Sequence, residues 1–310
     1  MKSIVALLIS SSLVACMSST GTDGTEDTQD TSTTYVRIQY GPGGDEGAWY
    51  DINDKLRTAF DNVCGDTFCE GDYSNITPLT IACSVTSIRG DIHDCAWTFA
   101  ASQAGVDSTS SVISVNAPTF TCHMKPATTG KKLIATLEAS TDIIHEPLPG
   151  IGSIYQGLGD CFQHPDGVTP VTATYTFPEK YVSADEYYST PANQAKWRTA
   201  VGNIVDGFNN ICGDTFCGSD YSDLWHLQLE CSVTKSTGNV KSCDWIFGGS
   251  FSDLAANGAI TENLHTWTCP FTVGGTLSQL ITTWTTGDAI QNPLPGKTTS
   301  AYDALGGCLP

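Results

Sequence analysis

Thirteen cysteines are the side chains of this 310-residue sequence best placed to do chemistry. Twelve of them fall into two sets of six with almost the same spacing: Cys64, Cys69, Cys83, Cys95, Cys122 and Cys161, then Cys212, Cys217, Cys231, Cys243, Cys269 and Cys308. Thiols in such sets act as nucleophiles, as metal ligands or as disulfides. A nucleophile would leave each set with an odd thiol. Zinc ligation favours a C-x2-C spacing with recurrent histidine, whereas the tight pair here is C-x4-C and no histidine recurs between the sets. Disulfides are the expected use, three to a set, and they imply an oxidising compartment. Sequence cannot choose among the connectivities. The expected staples are Cys83 to Cys95 across a hairpin and Cys122 to Cys161 tying back the end of the unit.

The charged residues that recur with the cysteines are few: Asp66 with Asp214, Asp72 with Asp220, and Asp142 with Asp288. The first two pairs flank the second cysteine of each set in a segment rich in turn formers. Carboxylates and carbonyls in such a loop are candidate calcium ligands, so Asp66, Asp72, Asp214 and Asp220 form the candidate metal set. Their spacing is not that of an EF-hand, and caps or Asx turns are the competing use. No other cofactor is implied. Histidine fails the test of recurrence: His93 faces Lys241, His123 faces Pro270, and His145-Glu146 faces Gln291-Asn292. His93-Asp94 and His145-Glu146 are expected to be ordinary surface or turn residues. Neither H-E-x-x-H nor G-x-S-x-G occurs. Pro295-Gly296-Lys297-Thr298-Thr299 lacks the earlier glycine of a phosphate-binding loop. No catalytic residue is assigned.

The recurrence is a duplication. At a shift of 148 residues, Cys64 to Ser74 meets Cys212 to Ser222 with nine of eleven positions identical. Trp97 then meets Trp245 and Phe99 meets Phe247. After a one-residue deletion Cys122 meets Cys269 and Tyr155 meets Tyr302. The sequence therefore divides into repeat domain 1 at 34–164 and repeat domain 2 at 165–310, with a join around Gln163 to Pro170.

The elements that must position these residues follow from periodicity. Each repeat opens with a strand-like run, Tyr35 to Tyr40 and Thr172 to Phe177. Apolar residues then step by three and four, marking the buried stripe of a helix: Trp49, Ile52, Leu56, Phe60 and Val63, and in the second repeat Trp197, Val201, Ile204, Phe208 and Ile211. Gly65 and Gly213 are placed to cap these helices. Beyond the cysteine turn the period becomes two, in Leu79, Ile81, Cys83, Val85 and in Cys95, Trp97, Phe99, which predicts antiparallel strands. Further helices are expected at Lys131 to Ala139 and Thr276 to Trp284, and short terminal ones at Ile154 to Cys161 and Ala301 to Leu309. The fold class is α+β: two tandem copies of a disulfide-stapled domain, each a helix packed on an antiparallel sheet. The recurrent tryptophans read as core.

The thirteenth cysteine sits at the other end of the argument. Met1 and Lys2 precede a short apolar run, Ile4 to Ile9, that is too short to span a bilayer and fits a signal peptide. The run ends Leu13-Val14-Ala15-Cys16, which resembles the lipobox of bacterial lipoproteins. The resemblance implies cleavage after residue 15, acylation of Cys16 with palmitate-type chains and a stable membrane anchor. Met17 rather than aspartate follows Cys16, which favours the outer membrane. Residues 16–33, with their Ser, Thr and acidic composition, read as a disordered tether. The 33 acidic against 14 basic residues, a net charge of −19, exclude nucleic acid as a partner.

These readings point to an exported, envelope-anchored lipoprotein with a non-enzymatic binding or structural role. Its two similar domains would meet a protein or polysaccharide of the cell surface. One alternative is a hydrolase, or accessory module, for an envelope or extracellular polymer, using carboxylates such as Asp66 and Asp72. Another is a small-protein inhibitor, since strand, helix, then strands looks like the cystatin-like order. That analogy lies at the level of fold alone.

Overall fold

The computed structural model describes residues 34–63, 75–162, 179–215, 221 and 224–310. The first half begins with an edge strand β1 (Tyr35–Arg37), a single 3-10 turn and helix α1 (Glu46–Val63). Asp45 Oδ1 accepts the Ala48 amide at 3.0 Å and so satisfies one of the donors that a helix start leaves open. Trp49, Ile52, Leu56 and Phe60 form its buried stripe. A hairpin follows, β2 (Thr77–Thr86) and β3 (Ile92–Ala100), then a two-stranded arm of β4 (Gln103–Val106) and β5 (Ile113–Asn116). Strand β6 (Thr119–Met124) returns beside β3, and helices α2 (Gly130–Ala139) and α3 (Ile154–Phe162) close the half. The antiparallel sheet has the order β1-β2-β3-β6.

The second half repeats the plan. Strand β7 (Tyr181–Ser183) leads into a short α4 (Ala184–Tyr187) and then α5 (Pro191–Thr215). Strands β8 (Trp225–Thr234), β9 (Val240–Leu254) and β10 (Ile260–Phe271) are followed by α6 (Leu277–Trp284) and α7 (Ala301–Leu305), in a sheet of order β7-β8-β9-β10. Here β9 and β10 run unbroken through the part that is a separate arm in the first half.

Period-two alternation turns one face of each sheet toward its helix. Phe60 meets Trp97 and Phe99 with ring centroids 5.9 and 4.9 Å apart, and Phe208 meets Trp245 and Phe247 at 5.9 and 4.8 Å. The agreement shows that the duplicated residues build the same core twice. Disulfides staple each core. Cys83–Cys95 and Cys231–Cys243 join directly paired strand positions, and Cys122–Cys161 and Cys269–Cys308 tie α3 and the residues after α7 to the sheets. The latter two close sequence separations of 39 residues, worth about 4 kcal/mol each in a chain-entropy treatment.

Several expectations need correction. The strand at Tyr35 to Tyr40 ends at Arg37, because Gly41 N–H donates back to the Ile38 carbonyl and closes a 3-10 turn. In the second half the strand that pairs with β8 as β1 pairs with β2 is Tyr181–Ser183; Thr172 to Phe177 lies outside the described residues. Gly213 does not cap α5, which continues through Thr215; its counterpart Gly65 lies outside the described residues, as does the join at 163–170. The last helix stops at Leu305 rather than Leu309.

The outer faces of the two sheets are not left to solvent. Residues 33–310 form one compact unit, because each sheet lays its second face on the other. Leu79, Ala100, Leu227 and Ile246 make one shared cluster, and Ala82, Ala96 and Ile260 another. Leu79 and Leu227 are the same repeat position, as are Ala100 and Gly248, so the halves meet through equivalent patches, in the manner of an isologous dimer fused into one chain. At Gly248 they approach closely: a Cβ there would lie 2.6 Å from Ala100 Cβ. The arms complete the embrace. Ser108, at the tip of β4–β5, accepts the Lys180 and Tyr181 amides at 2.9 and 3.0 Å. The β9–β10 tip is held by Asp94, which accepts the Ile260 amide at 3.0 Å, and by Ser84, which donates to the Gly258 carbonyl.

Gly248→Ala should therefore cost about 1–3 kcal/mol in urea-unfolding experiments, as overpacked cores do. Adding Ala100→Gly should restore at least half of the loss. Strict additivity of the two substitutions would show that these positions do not share one contact.

Candidate functional site

The shared packing of the sheets leaves two clefts, each walled by the long helix of one half and the arm of the other. The clefts are related by the repeat, since Trp49, Thr80 and Ser250 in the first correspond to Trp197, Gln228 and Ser102 in the second. Their chemistry differs.

The first cleft has a volume of about 670 Å³, in the range of small-ligand sites. Arg57, on α1, places its guanidinium over the Trp225 ring at 4.0 Å from the centroid and donates from Nη2 to the Leu79 carbonyl at 2.8 Å. Arg37, at the end of β1, donates to the Ser252 carbonyl on β9. Tyr50 and Phe251 stand 62 % and 40 % exposed at the mouth. Asn53, which donates to the Trp49 carbonyl at 2.7 Å, also lines the cleft. Among the described residues one carboxylate, the exposed Asp54, lines this cleft, and Asp61 interacts electrostatically with Arg57. By strand pairing Arg37 corresponds to Ser183, and at the 148-residue shift Tyr50, Asn53, Arg57, Trp225 and Phe251 correspond to Arg198, Val201, Val205, Thr77 and Gln103, so none of this set is duplicated.

The second cleft is lined by Arg198, at the repeat position of Tyr50, and by Asp185, which pair at 3.8 Å. In the pocket that adjoins it Glu230 takes the place of Ala82 and is 8 % exposed. Burial pushes its carboxyl up to about 7 against the hydrogen bonds it receives from the Ser183 side chain and the Cys231 amide, and nearby Glu186 and Asp185 push the same way as burial. His226, on the same strand, accepts the Trp245 indole N–H on Nδ1 at 2.7 Å. Burial lowers its imidazole to about 4.

The residues singled out by their spacing fare differently. Cys64, Cys69 and Cys217 lie outside the described residues, as do Asp66, Asp72 and Asp220. Cys212 and Asp214 fall in the last turn of α5, with side chains outside the description. Asp142 pairs locally with His145 at 3.0 Å, and Asp288 is exposed in a turn. Among the described residues no group of three His, Cys, Asp or Glu side chains is spaced to hold a metal ion. His93 and Asp94 do more than line a surface. His93 stacks on Tyr35 with centroids 4.5 Å apart beneath Gly258, while Asp94 pairs with His123 and holds Ile260. Searching for recurrent residues passes over the first cleft, because the cleft is built where the repeats diverge. The available signal is the rarity of arginine: two of the four in the chain line this one cleft.

The two titrating groups on β8 act in opposite directions. Glu230, raised above its ordinary 4.5, favours the folded state at low pH and loses that contribution as pH rises from 4.5 through about 7. His226, lowered from 6.5, favours folding at high pH and loses that contribution as pH falls from 6.5 through about 4. Each effect is on the order of 3 kcal/mol, and they offset each other between pH 4.5 and 6.5. Glu230→Gln should make unfolding stability fall on acidification through that window, and His226→Asn should make it fall on alkalinisation. Equal, flat profiles for both variants would refute the assignment.

No family model matches this sequence, and neither a curated protein nor a solved structure does.

Proposed function

We propose that the chain is an exported lipoprotein, anchored to the cell envelope through acylated Cys16, whose fused repeats form one non-catalytic binding body for a polymer of the cell surface. The carrying observation is the first cleft: two of the four arginines, one set over Trp225, among exposed aromatic rings and amide side chains. Aromatic faces with a few fixed polar groups are the composition of a recognition site. A glycoside hydrolase of the usual kind needs a pair of carboxyl groups flanking the bond, and among the described residues Asp54 is the one carboxylate lining this cleft. The acidic surface as a whole disfavours nucleic acid. Because the equivalent clefts differ in charge, the reading is one ligand site per chain rather than two like ones.

The second reading, polymer hydrolysis, is favoured by one observation. Burial lifts the Glu230 carboxyl to about 7 beside the exposed Asp185, and a carboxyl group raised next to an ordinary carboxylate is the pairing that acid–base catalysis uses.

Two measurements test this. Cys16→Ser should move the protein from the membrane fraction to the soluble fraction of expressing cells. That soluble protein should melt at higher temperature with at least one cell-surface polysaccharide, without releasing new reducing ends. Release of reducing ends that Glu230→Gln abolishes would transfer the function to hydrolysis. No shift with any polysaccharide would sink the binding reading for this polymer class.

A further inference from the structure

We infer that the β4–β5 arm is a hinged flap over Glu230, closed while that carboxyl carries its proton and lifted when it ionises.

The hinge lies where the two halves differ. In the second half β9 and β10 run on as one ladder, pairing Gly249 with His265 and Ser250 with Leu264. At the matching place in the first half the Ala101 amide donates to the Pro118 carbonyl at 3.0 Å, and proline has no N–H to return the bond. The ladder breaks there, and the arm beyond it is a two-stranded sheet of its own. Its pivots are fixed. Ser102 is held by Asn75 and Gln228, and the Ala117 carbonyl accepts the Thr266 hydroxyl at 3.3 Å. At the far end Ser108 docks the tip by accepting the Lys180 and Tyr181 amides.

What lies beneath the arms also differs. In the first half Ala82 and Ala96 pair across the strands and pack with Ile260 and Leu254 of the β9–β10 arm, an apolar clasp. The same repeat positions in the second half are Glu230 and Asp244, directly paired and both pushed up by burial. A cavity of about 490 Å³ lies between Glu230 and β4, with Val106, the repeat equivalent of Leu254, on its wall. From α4, Asp185 and Glu186 act on Glu230 as further carboxylates, and from β7 the Ser183 hydroxyl donates to it. Strands β4 and β5 carry no charged residue, and Asp107 at the tip is bonded to Thr109 and Ser110. Of the cations on neighbouring elements, Arg198 pairs with Asp185 at 3.8 Å, Lys235 pairs with Glu179, and Lys180 lies over the Tyr181 ring. His226, four residues earlier on β8, is held neutral by burial against Trp245. An ionised Glu230 would thus meet other acids in a poorly hydrated space. Lifting the arm lets water reach the carboxylate and removes that cost. It also opens the adjoining second cleft, which Gln103 and Ala104 line as well.

The test is amide hydrogen exchange on the Cys16→Ser full-length protein at about pH 6 and about pH 8, corrected for the intrinsic pH dependence of exchange. With the carboxyl titrating at about 7 when closed and at its ordinary 4.5 when open, the open fraction should rise about ten-fold between the two. The Lys180 and Tyr181 amides, which the tip docks, should report that rise, while amides within β2 and β3 keep their protection. Glu230→Gln should abolish the response. Glu230→Ala, which installs the residue of the first half, is the second variant should glutamine disturb folding. His226→Asn, which removes the other titrating group of β8, should keep the response. Equal protection of Lys180 and Tyr181 at both pH values would overturn the flap, as would a response that survives the Glu230 substitutions. A rise shared equally by β2 and β3 would overturn it too, as loosening of the whole body.

Discussion

Contact between the outer faces of two antiparallel sheets is the constraint on which the rest of this structure depends. A sheet covered by a helix on one side can leave its other side wet, and the duplicated sequence would then give two beads on a string. Here the second faces carry Ala82, Ala96, Ala100 and Gly248 at the positions that meet. Small side chains let the backbones approach, and the larger Leu79, Leu227 and Ile246 fill the space beside them. Because Ala100 and Gly248 occupy one repeat position, this close contact lies where the halves cross, and any bulk added there acts on both.

Everything of chemical interest lies downstream of that contact. The arms extend past it, so each reaches over the opposite half: the β4–β5 arm ends at the edge strand, with Ser108 on Lys180 and Tyr181, and the β9–β10 tip ends on Ser84 and Asp94. Covering an edge strand removes unpaired donors and acceptors that would otherwise invite aggregation. The same reach walls two clefts against the long helices. Symmetry makes two clefts, and divergence makes them unlike: one gathers cationic and aromatic side chains, the other buries Glu230 where the first half has alanine. Duplication followed by divergence at the junction thus gives a site that neither half contains alone.

The duplicated core was legible from the order of residues because its signals are local or self-checking. A stripe at steps of three and four from Trp49 to Phe60 defines a helix face whatever it packs on. Alternation through Cys83 and Cys95 defines a hairpin, and cysteines at directly paired positions can bridge only each other. Recurrence of Trp97 as Trp245 marks both as buried. Where local signals compete, position alone misleads: Gly213 is placed as a helix cap, yet the helix continues through Thr215, since a glycine is tolerated within a helix that packs well along its stripe.

Residue order alone thus specifies the α+β class, the repeat, the core stripes and the hairpin staples. Periodicity tells which face of an element avoids water. Tertiary structure alone decided what lies against that face. Alanine and glycine on an outer sheet face suit solvent and close packing equally, so nothing in the one-dimensional pattern announced that the sheets join. Arg57 and Trp225 likewise stand far apart in the chain, in different repeats, with no shared motif. They come together only because the face-to-face contact carries β8 across to α1, and a site made by that crossing leaves no spacing to read.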